Sequence, residues 1–494
     1  MLLREISRQL SSDALEGRRT GSLGGAQAAT LIAWYCYSLG LRSVSSTEYY
    51  QYVPLIDNEI DETETRLRII GPGVDTTFFH HEEFIVDVGR KETLTDFSGE
   101  LVYVGRAADL LFQRSSLPPL EGKVALLRGE LGGWPEAADT LMVRGAVGII
   151  QVVDDARRYR LFRATRGRSR LYIDDAAVPS SALPLLPMIL AGPRMTMTLY
   201  QGLTGGSHGS WNDAYLNGLA EGLPTPRSLP GWRAAVSIGV RERSLQAPNV
   251  ACRLEGHGAA ADTALLLVAH YDHLGIGAAD LNGDSIYNGF SDNAAGVAMA
   301  LGIADWFAHE RALGRGLRHS LLLLFPTGEE AGLLGSEYFL SHSEWPTSRM
   351  LAALNLDANV PAGRPRSWRV AGDEGSRVVR TAVDEARRHG WPVSVARPAP
   401  ASDYYAFLMR GVPAAFIVPG GGAYEGMRIS TSDSLRALLQ ARYHQPADEY
   451  ASDFPFEGME RYAEFIRDVL RRLDGPASGE RFAARQTPEA RRGR

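Results

Sequence analysis

Unbroken apolar runs that stop at small, acidic or histidine residues mark the second half of the chain. From about Trp232 the segments "NVACRLEG", "TALLLVAHYDHLG", "SLLLLFPTGEE", "MLAALNLDANV" and "GVPAAFIVPGG" run apolar and end in Gly, Pro or an acidic residue. Stretches of helical spacing lie between them, at 294–310, 334–341, 375–389 and 456–473. A strand without apolar–polar alternation is buried on both faces, so its alternation with helices predicts an α/β domain whose sheet is covered on both sides. Sheets of this kind hold their ligands beyond the carboxyl ends of the strands.

The first half reads differently. "AQAATLIAWYCYSLGL" places Ile32, Cys36 and Leu39 at helical spacing and Gly40 where a C-terminal cap belongs, which predicts an amphipathic helix. Short alternating strands are expected from about Tyr49 to Phe97. A β-rich module follows from about Phe97 to Leu203, carrying "GELVYVG", "GKVALLRGE" and "RGAVGIIQVV" and no histidine. Its polar, Gly-rich exit, "TGGSHGSWNDAYLNGLAEGLPTPRSLPG", reads as a long connection. The tail from Gly475 is polar, Arg-rich and aperiodic, and is expected to be disordered.

Composition narrows the class. The 494 residues exceed what one core supports, so two or three domains are expected. Apolar content of 45% and charged content of 22% describe a soluble globular chain. A net charge of −6 without a basic block gives no sign of nucleic-acid binding. No apolar run approaches the roughly 18–20 residues that span a bilayer. The opening "MLLREISRQLSSDALEGRRTGS" has no signal-peptide h-region, so the protein is expected either to stay inside the cell or to lack its export signal in the chain as given. Two cysteines, Cys36 and Cys252, are too few for a disulfide framework or a Cys-based zinc site, and each is expected to be a small buried apolar residue.

The chemistry-bearing residues stand at the strand ends. "VAHYDHLG" brings His270 and Asp272, which share one face of an extended chain; "YNGFSDNAAG" brings Asp292 at the mouth of a helix. "TGEE" brings Glu329 and Glu330, "NLD" brings Asp357, and the loop "YHQPADE" brings His444. Singly each has an ordinary reading. The glutamate pair suits a solvated helix start, Asp292 an N-cap, Asp357 a turn, and the histidines a semi-buried site and a loop. Together they require His, Asp and Glu to recur by chance at successive strand ends of one domain. Two imidazoles and three carboxylates are the ligand types that suit Zn²⁺ with an open water position. With one carboxylate bridging, five ligands hold two metals about 3.5–4 Å apart, which lower the pKa of a shared water and polarise a carbonyl. One glutamate beyond that set is needed to take the water's proton.

"HYDHLG", "GFSDNAAG", "TGEEAGLLGS", "NLD" and "YHQPADE", in this order, resemble the di-zinc exopeptidase family of bacterial leucyl aminopeptidases, glutamate carboxypeptidase and the inactive transferrin receptor. "LSSDALEGRRTGSLGG" is similar to that family's opening segment, and the middle module resembles the protease-associated domain inserted in such enzymes. The resemblance implies a mixed, mostly parallel sheet with helices on both faces plus that β-rich insert. Residues 1–96 would be the N-terminal part of the peptidase domain, 97–231 the insert and connection, 232–474 the catalytic domain and 475–494 the tail. It further implies that His270 and Asp357 hold one zinc, that Glu330 and His444 hold the other, and that Asp292 bridges them; Co²⁺ or Mn²⁺ could replace either ion. Glu329 would be the general base and acid, and Asp272 would accept a hydrogen bond from the other nitrogen of His270. Tyr443 would help stabilise the oxyanion.

The implied activity is an aminopeptidase acting on peptide N-termini, with a carboxypeptidase or dipeptidase of the same family as the alternative. A carboxypeptidase would want a cation such as Arg410 or Arg428 for the terminal carboxylate. A glutaminyl cyclase-like transferase needs one zinc and no counterpart of His270, and a receptor-like protein needs no intact ligand set. The family resemblance leans toward a secreted or periplasmic protein. Three positions depart from the family pattern, Phe290, Ser291 and Ala295, and Phe290 is expected to narrow the site. Tyr404 stands where the family often has His, which affects pocket contacts.

Overall fold

The computed structural model describes residues 2–45, 48–87, 95–107, 110, 117–129, 135–152, 159, 163, 169–178, 186–204 and 226–475. Most of the connection expected after Leu203, and the tail after Gly475, lie outside the described residues. The chain forms two compact units: Met1–Pro54 with Gln246–Arg494, and Leu55–Leu245. The second is wider at both ends than the insert expected at 97–231, because the strand pairs between residues 55 and 87 pack within it.

The first unit is built on the apolar runs. Ala264–Val268, Ser320–Phe325, Met350–Asn355 and Ala414–Pro419 lie parallel, and Trp368–Gly372 with Val393–Ala396 extends the sheet beyond Ala414–Pro419 in the opposite direction. On the other side the end of Arg227–Leu254 pairs antiparallel with Ser320–Phe325. Successive side chains point to opposite faces. Thus Leu265, Leu267, Leu321, Leu323 and Phe325 join Ile6, Ile32, Val297 and Phe465 in one core, while Leu266, Leu322 and Leu324 join Phe339 and Phe407 in another. Helices therefore cover both faces: Leu2–Leu10, Leu23–Ser38, Ala295–Ala312, Arg377–Arg388 and Glu457–Asp474 on one, Leu334–His342 and Tyr404–Met409 on the other. Each leucine buried this way contributes about 1.5–3 kcal/mol relative to exposure.

Leu23–Ser38 is the helix read from the first half. Ser22 caps it by accepting from the Gly25 amide, and Gly40 ends it at φ +69°, a conformation that costs glycine no Cβ clash. Cys36 and Cys252 are fully buried, as expected of small apolar residues, but they are joined: a disulfide ties this helix to Arg227–Leu254, with Cα atoms 6.3 Å apart. The sequence reading missed it because two cysteines 216 residues apart carry no local spacing signal.

In the second unit Asp96–Arg106, Val124–Arg128, Gly148–Val152 and Met188–Ala191 are parallel, with Phe84–Asp87 antiparallel at the edge. Tyr50–Gly71 folds back on Val74–Phe79 as a hairpin. The apolar faces meet in two cores, one around Leu101, Leu126 and Ile150 and one around Val102, Ala125 and Leu127. Among the described residues, no helix of either unit is long and apolar enough to cross a membrane.

Candidate metal centre

Sheet register brings the acidic and histidine residues together. Val268 is paired with Leu324 on one side and with Asn355 on the other, so the three strands end level. His270 and Asp357 stand two residues beyond those ends, and Glu329 and Glu330 lie in the turn between Phe325 and the helix that starts at Leu334. The glutamates are therefore not a helix start. Asp292 precedes Ala295–Ala312 in a short irregular turn, and its peptide bond to Asn293 is cis. His444 follows Ile429–Arg442 at φ +55°.

Two clusters result. Ligand-capable atoms of His270, Glu329 and Asp357 lie within 4.8 Å of one another, and so do those of His273, Asp292, Glu330 and His444. Asp292 faces both: its Oδ1 is 3.2 Å from His270 Nε2, and its Oδ2 is 2.9 Å from His444 Nε2. Asp357 Oδ1 is 3.1 Å from the same His270 nitrogen, and Glu330 Oε2 is 3.3 Å from His444 Nε2. Glu329 Oε2 stands farther off, 3.9 Å from His270 Nε2.

Asp272 lies elsewhere than its expected place. The main-chain carbonyl of Asp272, not its carboxylate, accepts from His270 Nδ1 at 3.1 Å; the nearer carboxylate oxygen is 3.7 Å away. That carboxylate instead accepts from the Glu329 amide at 3.2 Å and the Thr20 hydroxyl at 3.0 Å. Its contact is thus with the backbone that carries the glutamate pair.

Tyr443 stacks on the His444 ring, with centroids 3.9 Å apart, and lines a cavity of about 470 Å³ that also reaches Asp357, Phe416 and Arg436. Burial, together with the carboxylates of Asp292 and Glu330, pushes its phenol up, so the hydroxyl stays a donor. Phe290 does not line this cavity: it is 3% exposed and packs against Tyr450, Phe454 and Phe456. The expected narrowing is absent because the ring turns into the core. Tyr404 is likewise buried, its hydroxyl bonded to the main chain of Ala399. Neither Arg410 nor Arg428 lines the cavity; Arg410 is engaged by Glu337 and Ser341.

Several supports were not singled out from the sequence. Asp448 accepts the amides of Ser291 and Asp292 at 3.0–3.1 Å, and burial pushes its carboxyl up to about 6. Ser402 donates to Asp357 Oδ2. The guanidinium of Arg18 donates to the carbonyls of Leu10, Tyr271, Asn288 and Gly289, and burial pulls it down to about 10, still charged at neutral pH. His273, in the same "HYDHLG" stretch as His270, is fully buried beside Glu330. The only sequence signal for Arg18 and Thr20 was the opening segment "LSSDALEGRRTGSLGG", to which no role was attached.

The electrostatics test whether a cation fits. Burial raises Glu329 well above the usual carboxyl range, opposed by His270. Burial also acts to raise Glu330, but His444 and His273 outweigh it and hold that carboxyl down at about 2. His444 Nε2 has no partner in hydrogen-bond geometry, although two carboxylate oxygens lie 2.9 and 3.3 Å away. A divalent ion would satisfy these converging groups together, and an imidazole–carboxylate donor set suits zinc.

Residues 249–470 match the family model "Peptidase family M28". No curated protein matches the chain in sequence. Among solved structures, the aminopeptidase from Aneurinibacillus sp. strain AM-1 superposes with a TM-score of 0.58 at 17% identity, covering 96% of this chain and 93% of that one. The zinc aminopeptidase of Bacillus subtilis gives 0.53 at 16% identity over 95% and 93%. The Peptidase M28 precursor from Shewanella amazonensis SB2B gives 0.52 at 16% over 97% and 98%. Residues 249–470 of this chain thus match a Peptidase family M28 domain, and the chain shares its α/β fold with these solved aminopeptidase structures.

Proposed function

We propose that the protein is a two-zinc aminopeptidase. The observation that carries this reading is Asp292, whose two oxygens face imidazoles of different clusters at 3.2 and 2.9 Å, so that this one carboxylate would serve both ions. His270 and Asp357 would hold one ion and Glu330 and His444 the other. When bound, the ions would polarise the scissile carbonyl and lower the pKa of water. Glu329, outside the ligand set, takes the water's proton and returns it to the leaving amine. Asp272 keeps Glu329 in place through the Glu329 amide. Tyr443 donates to the carbonyl oxygen as negative charge develops there.

A free amino terminus is favoured over a free carboxylate by the cavity wall. Its arginine, Arg436, already spends its guanidinium on Asp433 and the carbonyls of Gly421 and Gly422, and so is not open to a terminal carboxylate. The unit Leu55–Leu245, set between the two segments of the catalytic unit, is read as the protease-associated insert. The Cys36–Cys252 disulfide fits an oxidising compartment. Two free thiols in unreduced, denatured protein would remove that argument.

The deciding experiment is chelation followed by reconstitution with Zn²⁺ or Co²⁺, assayed on aminoacyl amides, N-blocked peptides and peptides with C-terminal glutamate. Loss on chelation and recovery with metal, on free-amine substrates alone, is the expected outcome. Activity that survives chelation would sink the metal reading, and cleavage of N-blocked peptides would favour a carboxypeptidase.

A further inference from the structure

His273 has no place in the five-residue ligand set, yet the fold builds a seat for it. Its side chain is wholly buried and its amide donates to the Arg18 carbonyl at 3.3 Å. Gly289 borders the ring so closely that a Cβ there would meet His273 Cδ2 at 2.6 Å and Cγ at 2.7 Å. Gly289 itself is held at φ +58°, with its carbonyl on Arg18. Within this seat Nδ1 lies 2.7 Å from Glu330 Oε1 and 3.8 Å from Asp292 Oδ2, while Nε2 is buried without a partner.

An ionised carboxylate only accepts, so the proton belongs on Nδ1. The bare lone pair then falls on Nε2. The opposite tautomer would leave an N–H buried with no acceptor, a costlier arrangement. A ligand role through Nδ1 would impose that tautomer. Glu330 is therefore split between two partners: Oε1 is taken by His273, and Oε2 faces His444 at 3.3 Å.

We infer that His273 is a positioning residue that occupies one oxygen of Glu330, so that Glu330 meets its metal through the other oxygen alone and leaves coordination positions open for substrate. This rests on the two-metal reading proposed above. Hydrogen bonds of this kind to a ligating carboxylate change metal affinity by about 10–100-fold.

The test loads the metal-free wild type, His273→Ala and His273→Asn with Co²⁺. It follows metal content by mass analysis and the visible d–d absorption of the bound cobalt. Asn places an amide N–H where Nδ1 stood. In His273→Ala, two ions are expected at saturation, one of them bound about 10–100-fold more weakly. Its cobalt band is expected to weaken as Glu330 becomes free to use both oxygens and the coordination number rises. His273→Asn is expected to restore both properties, and it remains informative if the alanine variant does not fold. Unchanged affinity and spectrum in His273→Ala overturn the inference. So does loss of one whole ion in both variants, which makes His273 a ligand. A wild type that takes up no cobalt overturns the two-metal reading, and this inference with it.

Discussion

The two halves of the proposed metal centre are carried by different kinds of backbone. His270 and Asp357 sit two residues beyond parallel strands that end level, so sheet register alone sets their separation. Glu330 and His444 sit in a turn and in a loop after a helix, where no register acts. The difference shows in their supports. The strand-borne half has the main-chain carbonyl of Asp272 on His270 and the Ser402 hydroxyl on Asp357. The loop-borne half is trussed by Asp272 on the Glu329 amide, next to Glu330, and by His273 on Glu330, while Asp448 holds the turn of Asp292 that both halves share. The lesson is that a sheet edge supplies precision through backbone pairing, whereas loops borrow it from buried side chains.

Five substitutions break or sharpen that comparison. Asp292→Ala removes the group common to both halves and should have the largest effect, with loss of both ions and peptidase activity at background. Metal analysis that still finds two ions would show that the halves do not depend on Asp292. Glu329→Gln should keep the full metal complement and lower kcat by about 10²–10⁴-fold. Wild-type turnover in that variant would remove Glu329 as the base.

His270→Ala and His444→Ala separate the halves. Each should cost one ion, leave the other measurable by titration, and shift which half is loaded first. Loss of both ions in either variant would mean that the halves are one cooperative unit. The smallest effect belongs to Ser402→Ala, which removes a hydrogen bond to a charged group worth about 1.5–3 kcal/mol. It should weaken only the ion on the strand-borne half, by about 10–100-fold. A Ser402→Ala protein whose weakened ion is on the Glu330 side would reverse the comparison.

Much of this was legible in the chain because burial and periodicity are local. The runs around Leu266, Leu322 and Ala353 had to be two-sided strands, and helices had to separate them. The residues at their carboxyl ends could then be read as one set, since the position of ligands in such sheets is a property of the architecture. Phe290 was misread because an aromatic beside a metal motif gives no sign of which way it turns, and three other aromatic rings decide that. The boundary at Leu55 was missed because strands before residue 97 look alike whichever sheet they join.

The sequence by itself determined the strand and helix pattern and the two-sided core of the first unit, because each depends on residue type and near neighbours; the ligand set is proposed from the family resemblance its motifs carry. Only the tertiary structure decided the Cys36–Cys252 link, the shift of the Asp272 carboxylate from His270 to the Glu329 amide, the buried clamp of Arg18 and the seat of His273. Those depend on which polar atoms meet across as many as 271 residues of chain, as Arg18 meets Gly289. Hydrogen bonding is directional and short-ranged, so partners that distant in sequence leave no periodic trace in it.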